Sequence, residues 1–236
     1  MKRYDHVARR SVLCVLSMFI RSVGMVLTIR AALGVSPLTT IPYICSLAGI
    51  LTLGLVSTIK NIVQVCISKG LYRSAMPWDE FALQIIVSFV FGYILDFTEW
   101  LMCFGDPSDM ISRVALMLLG CVVMAFGIYI EVVSSFIMLP ADGMNRAVEY
   151  VTHWDYGYIK ILTDFLVVVS AAVLSFILLG SVEGIGIGTV VAMLWVGWIV
   201  HLFFVKLTRL SRWLMPYTID ERFDDAELKG NRRLSQ

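Results

Sequence analysis

Five ionisable residues, Arg21, Glu131, Asp142, Lys160 and Asp164, stand inside or beside long apolar runs. A charge held at depth in a bilayer is costly, so such residues face a bundle interior or water and mark ion or solute pathways by default. Arg21 lies near the middle of its run, with Gly24 and Thr28 following at i+3 and i+7 on one helix face. It is expected to meet helix-end carbonyls or a carboxylate. Glu131 shares a face with Gly127, and a glycine one turn away lets a second backbone approach the acid. Lys160 and Asp164 are four apart and also share a face. Arg21 suits the holding of a polar or anionic group, whereas Glu131 and Asp164 suit proton or cation coupling. The competing expectation is that Glu131, Lys160 and Asp164 form a buried ion cluster that only fixes packing.

Other charges read differently. Arg113, Arg30, Asp96 and Glu99 lie near the ends of their runs and are expected at the interface. His201 is expected to be a packing histidine. The run from Glu183 to Thr189, with glycines at 184, 186 and 188, lacks a strand–helix–strand setting and reads as a tight helix entry, not a nucleotide loop. No HExxH, GxSxG or ligand-spaced His/Cys cluster occurs. An enzyme is not expected, nor is any cofactor or metal.

The elements that position these residues come in two sets. The polar break Leu139-Pro140-Ala141-Asp142-Gly143-Met144-Asn145 has a partner in the stretch from Leu33 to Thr40. A shift of 103 residues lays Pro37 on Pro140, Gly24 on Gly127 and Gly54 on Gly157. The same shift lays Thr28 on Glu131, Ser57 on Lys160 and Asn61 on Asp164. Gly92 meets Gly197 only after two residues are inserted. This pattern is expected of an internal duplication in which each half carries one interrupted segment. Pro37 and Pro140 fit the first turn of a short helix, where a missing N–H costs nothing. Asp142 can cap that turn. A helix start within the membrane also favours an anionic group, with Ser36, Thr39 and Thr40 as matching hydroxyls. Asn145 and Arg146 are lesser candidates on the same element.

Composition sets the class. Of 236 residues 58% are hydrophobic and 16% charged, with mean hydropathy +0.82, whereas soluble domains are about 25% charged. A net charge of +1 gives no case for nucleic acid. The five cysteines form no CxxC pair and are expected to act as small buried hydrophobes. Six stretches approach the length of a span: roughly 12–33, 54–67, 81–103, 111–135, 156–179 and 185–206. The second is short and contains Lys60. Two shorter pieces, Ser36 to Ala48 and Ala141 to Thr152, are expected to be half-helices or re-entrant segments. With those two not crossing, Lys69, Arg73, Arg146, Lys206, Arg209 and Arg212 fall on one side with both termini, the cytoplasmic side.

The expectation is therefore an all-α integral membrane protein of about six transmembrane helices plus two half-helices, from two inverted-topology repeats. Residues 1–10 form a cytoplasmic N-terminus leading into an uncleaved first span. Residues 11–103 and 104–207 form the repeats, and 208–236 a polar cytoplasmic tail.

Gly34-Val35-Ser36-Pro37, the Leu-Pro-Ala-Asp-Gly element at 139–143 and Gly-Ile-Gly-Ile-Gly-Thr at 184–189 together resemble the bacterial YczE/YitT-like membrane proteins. Leu139 departs from that family's pattern, which carries a glycine there. The resemblance implies a multi-pass protein of the bacterial inner membrane. The functional expectation is a secondary transporter or channel for a small polar or anionic solute, with its site between the repeats. Its partners are the lipid bilayer, a small-molecule or ion substrate and, through Gly24 and Gly127, a second copy of the chain; those glycines equally suit packing within one chain. The alternative is a non-transporting membrane regulator or partner protein.

Overall fold

The computed structural model describes residues 7–73, 76–103, 107–134 and 137–206. The expected polar tail and the first six residues lie outside them. The described residues form eight helices and no strand: α1 (Val7–Arg30), α2 (Pro37–Leu47), α3 (Leu53–Tyr72), α4 (Trp78–Leu101), α5 (Met110–Ser134), α6 (Pro140–Thr152), α7 (Tyr156–Leu179) and α8 (Ile187–Lys206). Each polar break opens a short helix at its proline, as the fixed φ and missing N–H of that residue allow. The α2 helix has 11 residues and α6 has 13. At about 1.5 Å per residue both fall well short of a hydrocarbon core of about 30 Å.

Among the described residues, four helices are long and apolar enough to cross a membrane: α1 from Arg9, α4, α5 and α7. Lys60, Asn61, Gln64 and Lys69 keep α3 from joining them, and the apolar part of α8 is limited to Ile187–Phe203.

An antiparallel seam between α1 and α5 anchors the packing. Gly24 lies on the backbone of Gly120 and Met124, and Gly127 on the backbone of Arg21. A methyl group on Gly24 would stand 2.4 Å from the Met124 nitrogen, and one on Gly127 2.7 Å from the Arg21 nitrogen. These glycines are thus used for close packing within the chain. Met18, Met25, Val26, Phe91, Leu95 and Met124 fill the space between α1, α4 and α5. A bond between the Ser22 and Thr98 hydroxyls (2.6 Å) ties α1 to α4.

The remaining helices pair off around this seam. α8 packs on α5, α2 on α7 and α3, and α6 on α3 and α7. α3 meets α4 where Gly54 lies on the Gly92 carbonyl. Their counterparts α7 and α8 make no comparable contact among the described residues: no atom of α7 lies within 4 Å of where a methyl on Gly197 would stand, and α7 buries only Ile159, Ala171 and Ser175.

The glycine run before α8 packs as expected. The Gly188 N–H donates to the Leu33 carbonyl (2.9 Å) and the Val35 N–H to that of Gly184 (3.0 Å). Side chains at Gly186 or Gly188 would strike the Leu33 oxygen. The cysteines do not behave alike. Cys14 and Cys121 are buried and Cys45 half-buried, but Cys66 and Cys103 are exposed, because they lie on an outward helix face and at a helix end.

Candidate functional site

Arg21 is carried into the interior by the close approach of α1 to α5, and its side chain is 2% exposed. Its Nη1 donates to Glu131 Oε2 at 2.7 Å, so the expected partner is a carboxylate. The chain then doubles back after α5, and the other oxygen of Glu131 accepts the Leu139 N–H at 2.9 Å. Glu131 thereby caps the start of α6 from a neighbouring helix.

This corrects the expectation for Asp142. The N-cap position belongs to Leu139, which has no side-chain acceptor. Asp142 stands three residues on, from where an acid can reach back to the N-cap N–H, but that N–H is already bonded to Glu131. Asp142 approaches Arg21 instead (Oδ2 to Nη1, 3.8 Å) and accepts the Tyr156 hydroxyl at 3.3 Å.

The α2 hydroxyls act on their own turn. Ser36 and Thr39 share a bond of 2.9 Å, and Thr39 and Thr40 both donate to the Ser36 carbonyl. Thr28 donates to the Met25 carbonyl and rests on Gly120 in the α1–α5 seam, away from the gap described below. Asn145 accepts the Thr163 hydroxyl (2.9 Å). Lys160 and Asp164 pair at 2.8 Å on α7, with side chains 29% and 13% exposed. The expected single cluster of these two with Glu131 does not form; Glu131 is taken by Arg21, and the α7 pair stands apart. Asp96, near the end of α4, accepts the Gly54 N–H (2.6 Å) and the Thr52 hydroxyl (2.8 Å), and so caps α3.

Between the first turns of α2 and α6 lies a small gap of about 10 Å³, bounded by Arg21, Thr39, Ser57, Lys60 and Asn61, enough for roughly one water. Leu38 and Ala141, equivalent under the shift of 103, both border it.

Lys60, which sequence reasoning does not place at a site, also borders this gap. In the sequence it counts only against the span, although a lysine at mid-helix with Ser57 and Asn61 beside it is the same kind of signal that singles out Arg21. Its ammonium donates to the Leu38 carbonyl. That carbonyl needs a donor because Pro42, four residues on, has no N–H to return. Arg21 and Lys160 are near enough to repel Lys60, and Asp142 and Asp164 to attract it.

A larger cavity of about 260 Å³ opens between α3, α4 and α6, lined by residues including Tyr72, Glu80, Gln84 and Arg146. Glycine at 143 leaves room there, with the Gln84 amide 3.5 Å from where a methyl would stand. The α6 helix separates the two spaces: Leu139 and Ala141 face the small gap, Gly143 and Arg146 the large cavity.

Fold and site together define an all-helical protein with membrane-length helices around a buried, charge-bearing seam. The chain belongs to a family of unknown function (DUF6198), matched over residues 8–205. No curated protein and no solved structure matches it.

Proposed function

We propose that the protein is a secondary transporter or channel for a small polar or anionic solute, with its site where the first turns of α2 and α6 meet Arg21. The exchange of short helices carries this reading. α2 lies on α7 and α6 on α3, so each half supplies a wall that the other needs, as in transporters built from inverted repeats with interrupted helices. Two further features support the duplication. The α1–α4 contact has a counterpart in α5–α8. The α1–α5 seam also repeats itself under the shift of 103: Gly24 faces Met124 as Gly127 faces Arg21.

On this reading α3 and α8 also cross, giving six spans in two inverted halves, with Arg21, Glu131, Asp142 and Asp164 serving the solute or its coupling ion. Lys69, Arg146 and Lys206 then share the cytoplasmic side with both termini. The glycine–proline motifs favour a YczE/YitT-like protein of the bacterial inner membrane. No catalytic role is assigned.

The second reading, a membrane regulator or partner protein, rests on Arg21 and Glu131 being already paired and on the small size of the gap. Reconstituted vesicles loaded with a panel of labelled metabolites and ions separate the two. Uptake that disappears in Glu131→Gln or Asp164→Asn supports transport. No uptake for any solute, with both variants merely less stable, supports the structural cluster.

A further inference from the structure

In the lining of the gap between α2 and α6, the buried side-chain atoms that lack a hydrogen-bond partner are both donors. Lys60 has three N–H donors and one goes to the Leu38 carbonyl. Asn61 is 3% exposed and its Nδ2 has no hydrogen-bond partner; Arg21 is 2% exposed and its Nε has none. Both residues border the gap. Among the described residues, the lining holds two cationic side chains and no carboxylate. Glu131 and Asp142 approach Arg21 through Nη1, which leaves Nε to a different partner. The helix starts of α2 and α6 add their positive ends to the same space.

Buried donors without acceptors are costly. A neutral water would accept from at most two of them and leave the two cationic side chains of the lining uncompensated there. A group that only accepts fits the lining better. We propose that this gap is an anion site, taking one compact monoanionic group, a carboxylate or a small inorganic anion, on Lys60 Nζ, Asn61 Nδ2 and Arg21 Nε. The inference rests on the transport reading only for what happens after binding. It deepens that reading by naming the charge of the solute and by making Lys60 its main contact. In this scheme Glu131 and Asp142 hold Arg21 in place and do not touch the solute.

The site has limits of size. At about 10 Å³ the gap has room for one small ion or for the charged end of a longer solute, the rest of which stays outside. Selection between a carboxylate and a spherical anion follows from the direction of the donors: Asn61 and Arg21 present planar N–H groups suited to carboxylate oxygens, whereas Lys60 is a point charge that accepts either shape.

The test is thermal unfolding of the full-length protein in detergent, titrated with sodium chloride, sodium nitrate and sodium acetate at ionic strength held constant with the sodium salt of a bulky sulfonate. A saturable rise in unfolding temperature with one or more of the small anions is expected, unchanged when choline replaces sodium. Lys60→Met should weaken the apparent affinity by roughly tenfold or more, as loss of a charged hydrogen bond does, and Lys60→Arg should retain most of it. Asn61→Asp places a carboxylate in the gap and should abolish the effect, while Asn61→Gln keeps the donor and should preserve part of it. A preference for acetate identifies a carboxylate solute, and one for chloride or nitrate an inorganic anion. A shift that follows the cation, or that is unaltered in Lys60→Met and Asn61→Asp, or no shift with any anion, overturns the proposal. Anion flux into vesicles is measured in parallel. Anion binding without flux removes the transport reading and leaves the site; cation-driven flux without anion binding does the reverse.

Discussion

Arg21 has Glu131 in bonding contact and Asp142 just beyond, so one guanidinium organises two carboxylates from different helices. Removing one member of such a buried pair leaves the other uncompensated, at a cost of about 3–5 kcal/mol. Arg21→Met is therefore expected to lower unfolding stability by that order. In Arg21→Met/Glu131→Leu the charge penalty goes, but the Leu139 N–H loses its acceptor, at about 1–3 kcal/mol. The double variant should thus be less damaged than the sum of the singles, a coupling that denaturant titration in micelles can read. Lys60 offers a second cycle. Lys60→Met orphans the Leu38 carbonyl, but Pro42→Ala restores the backbone donor that this carbonyl lacks. The lysine substitution is expected to cost less in the Pro42→Ala background, by roughly 1 kcal/mol. Equal costs in both backgrounds would show that Lys60 is not serving that carbonyl.

Among the elements, the two glycine-backed contacts differ from their look-alikes in a way that substitution exposes. Gly24→Ala and Gly127→Ala press a methyl group into the backbone of the opposite helix, and overpacking of this kind costs about 1–3 kcal/mol. Gly197 has open space around it, so Gly197→Ala should be neutral or gain up to about 1 kcal/mol from helix propensity. Comparison of the three unfolding temperatures checks this directly.

The long helices and both short ones were legible from apolar runs broken at Pro37 and Pro140, because a proline at a first turn announces itself locally. α7 was read to the residue at both ends. The extent of α3 was not, since Lys60 and Lys69 interrupt the apolar run while the helix continues to Tyr72. The partner of Arg21 was left open between carbonyl and carboxylate, and the partner of Glu131 was sought on α7. Both depend on which helices touch, and spacing along a single chain does not record that. The cross-helix caps by Glu131 and Asp96 were invisible for the same reason, as each acceptor lies outside the turn it serves.

For the whole molecule, the six-span arrangement makes a statement about sides. Single cysteines introduced at Trp78 and Asp155 should be labelled by an impermeant maleimide only from the cytoplasmic face of oriented vesicles, and those at Leu51 and Val182 only from the other; all four sites are exposed. The native cysteines, of which Cys66 and Cys103 are exposed, are first replaced by serine or alanine. Labelling of residues 51 and 78 from the same side would return α3 to the status of a helix that does not cross, and with it the inverted relation of the halves.

The bond between Arg21 and Glu131 spans 110 residues of chain. A ribosome adding roughly 5–20 residues per second needs on the order of 5–20 s to cover that distance. During those seconds α1 is in or near the membrane with its guanidinium lacking the acid that bonds it. The insertion machinery, or the lipid headgroups to which a long side chain can reach, must hold that charge until α5 arrives. A nascent chain halted before Glu131 carries an unanswered cation, so biogenesis of this protein has its own deadline, set by the distance between two residues that end as neighbours.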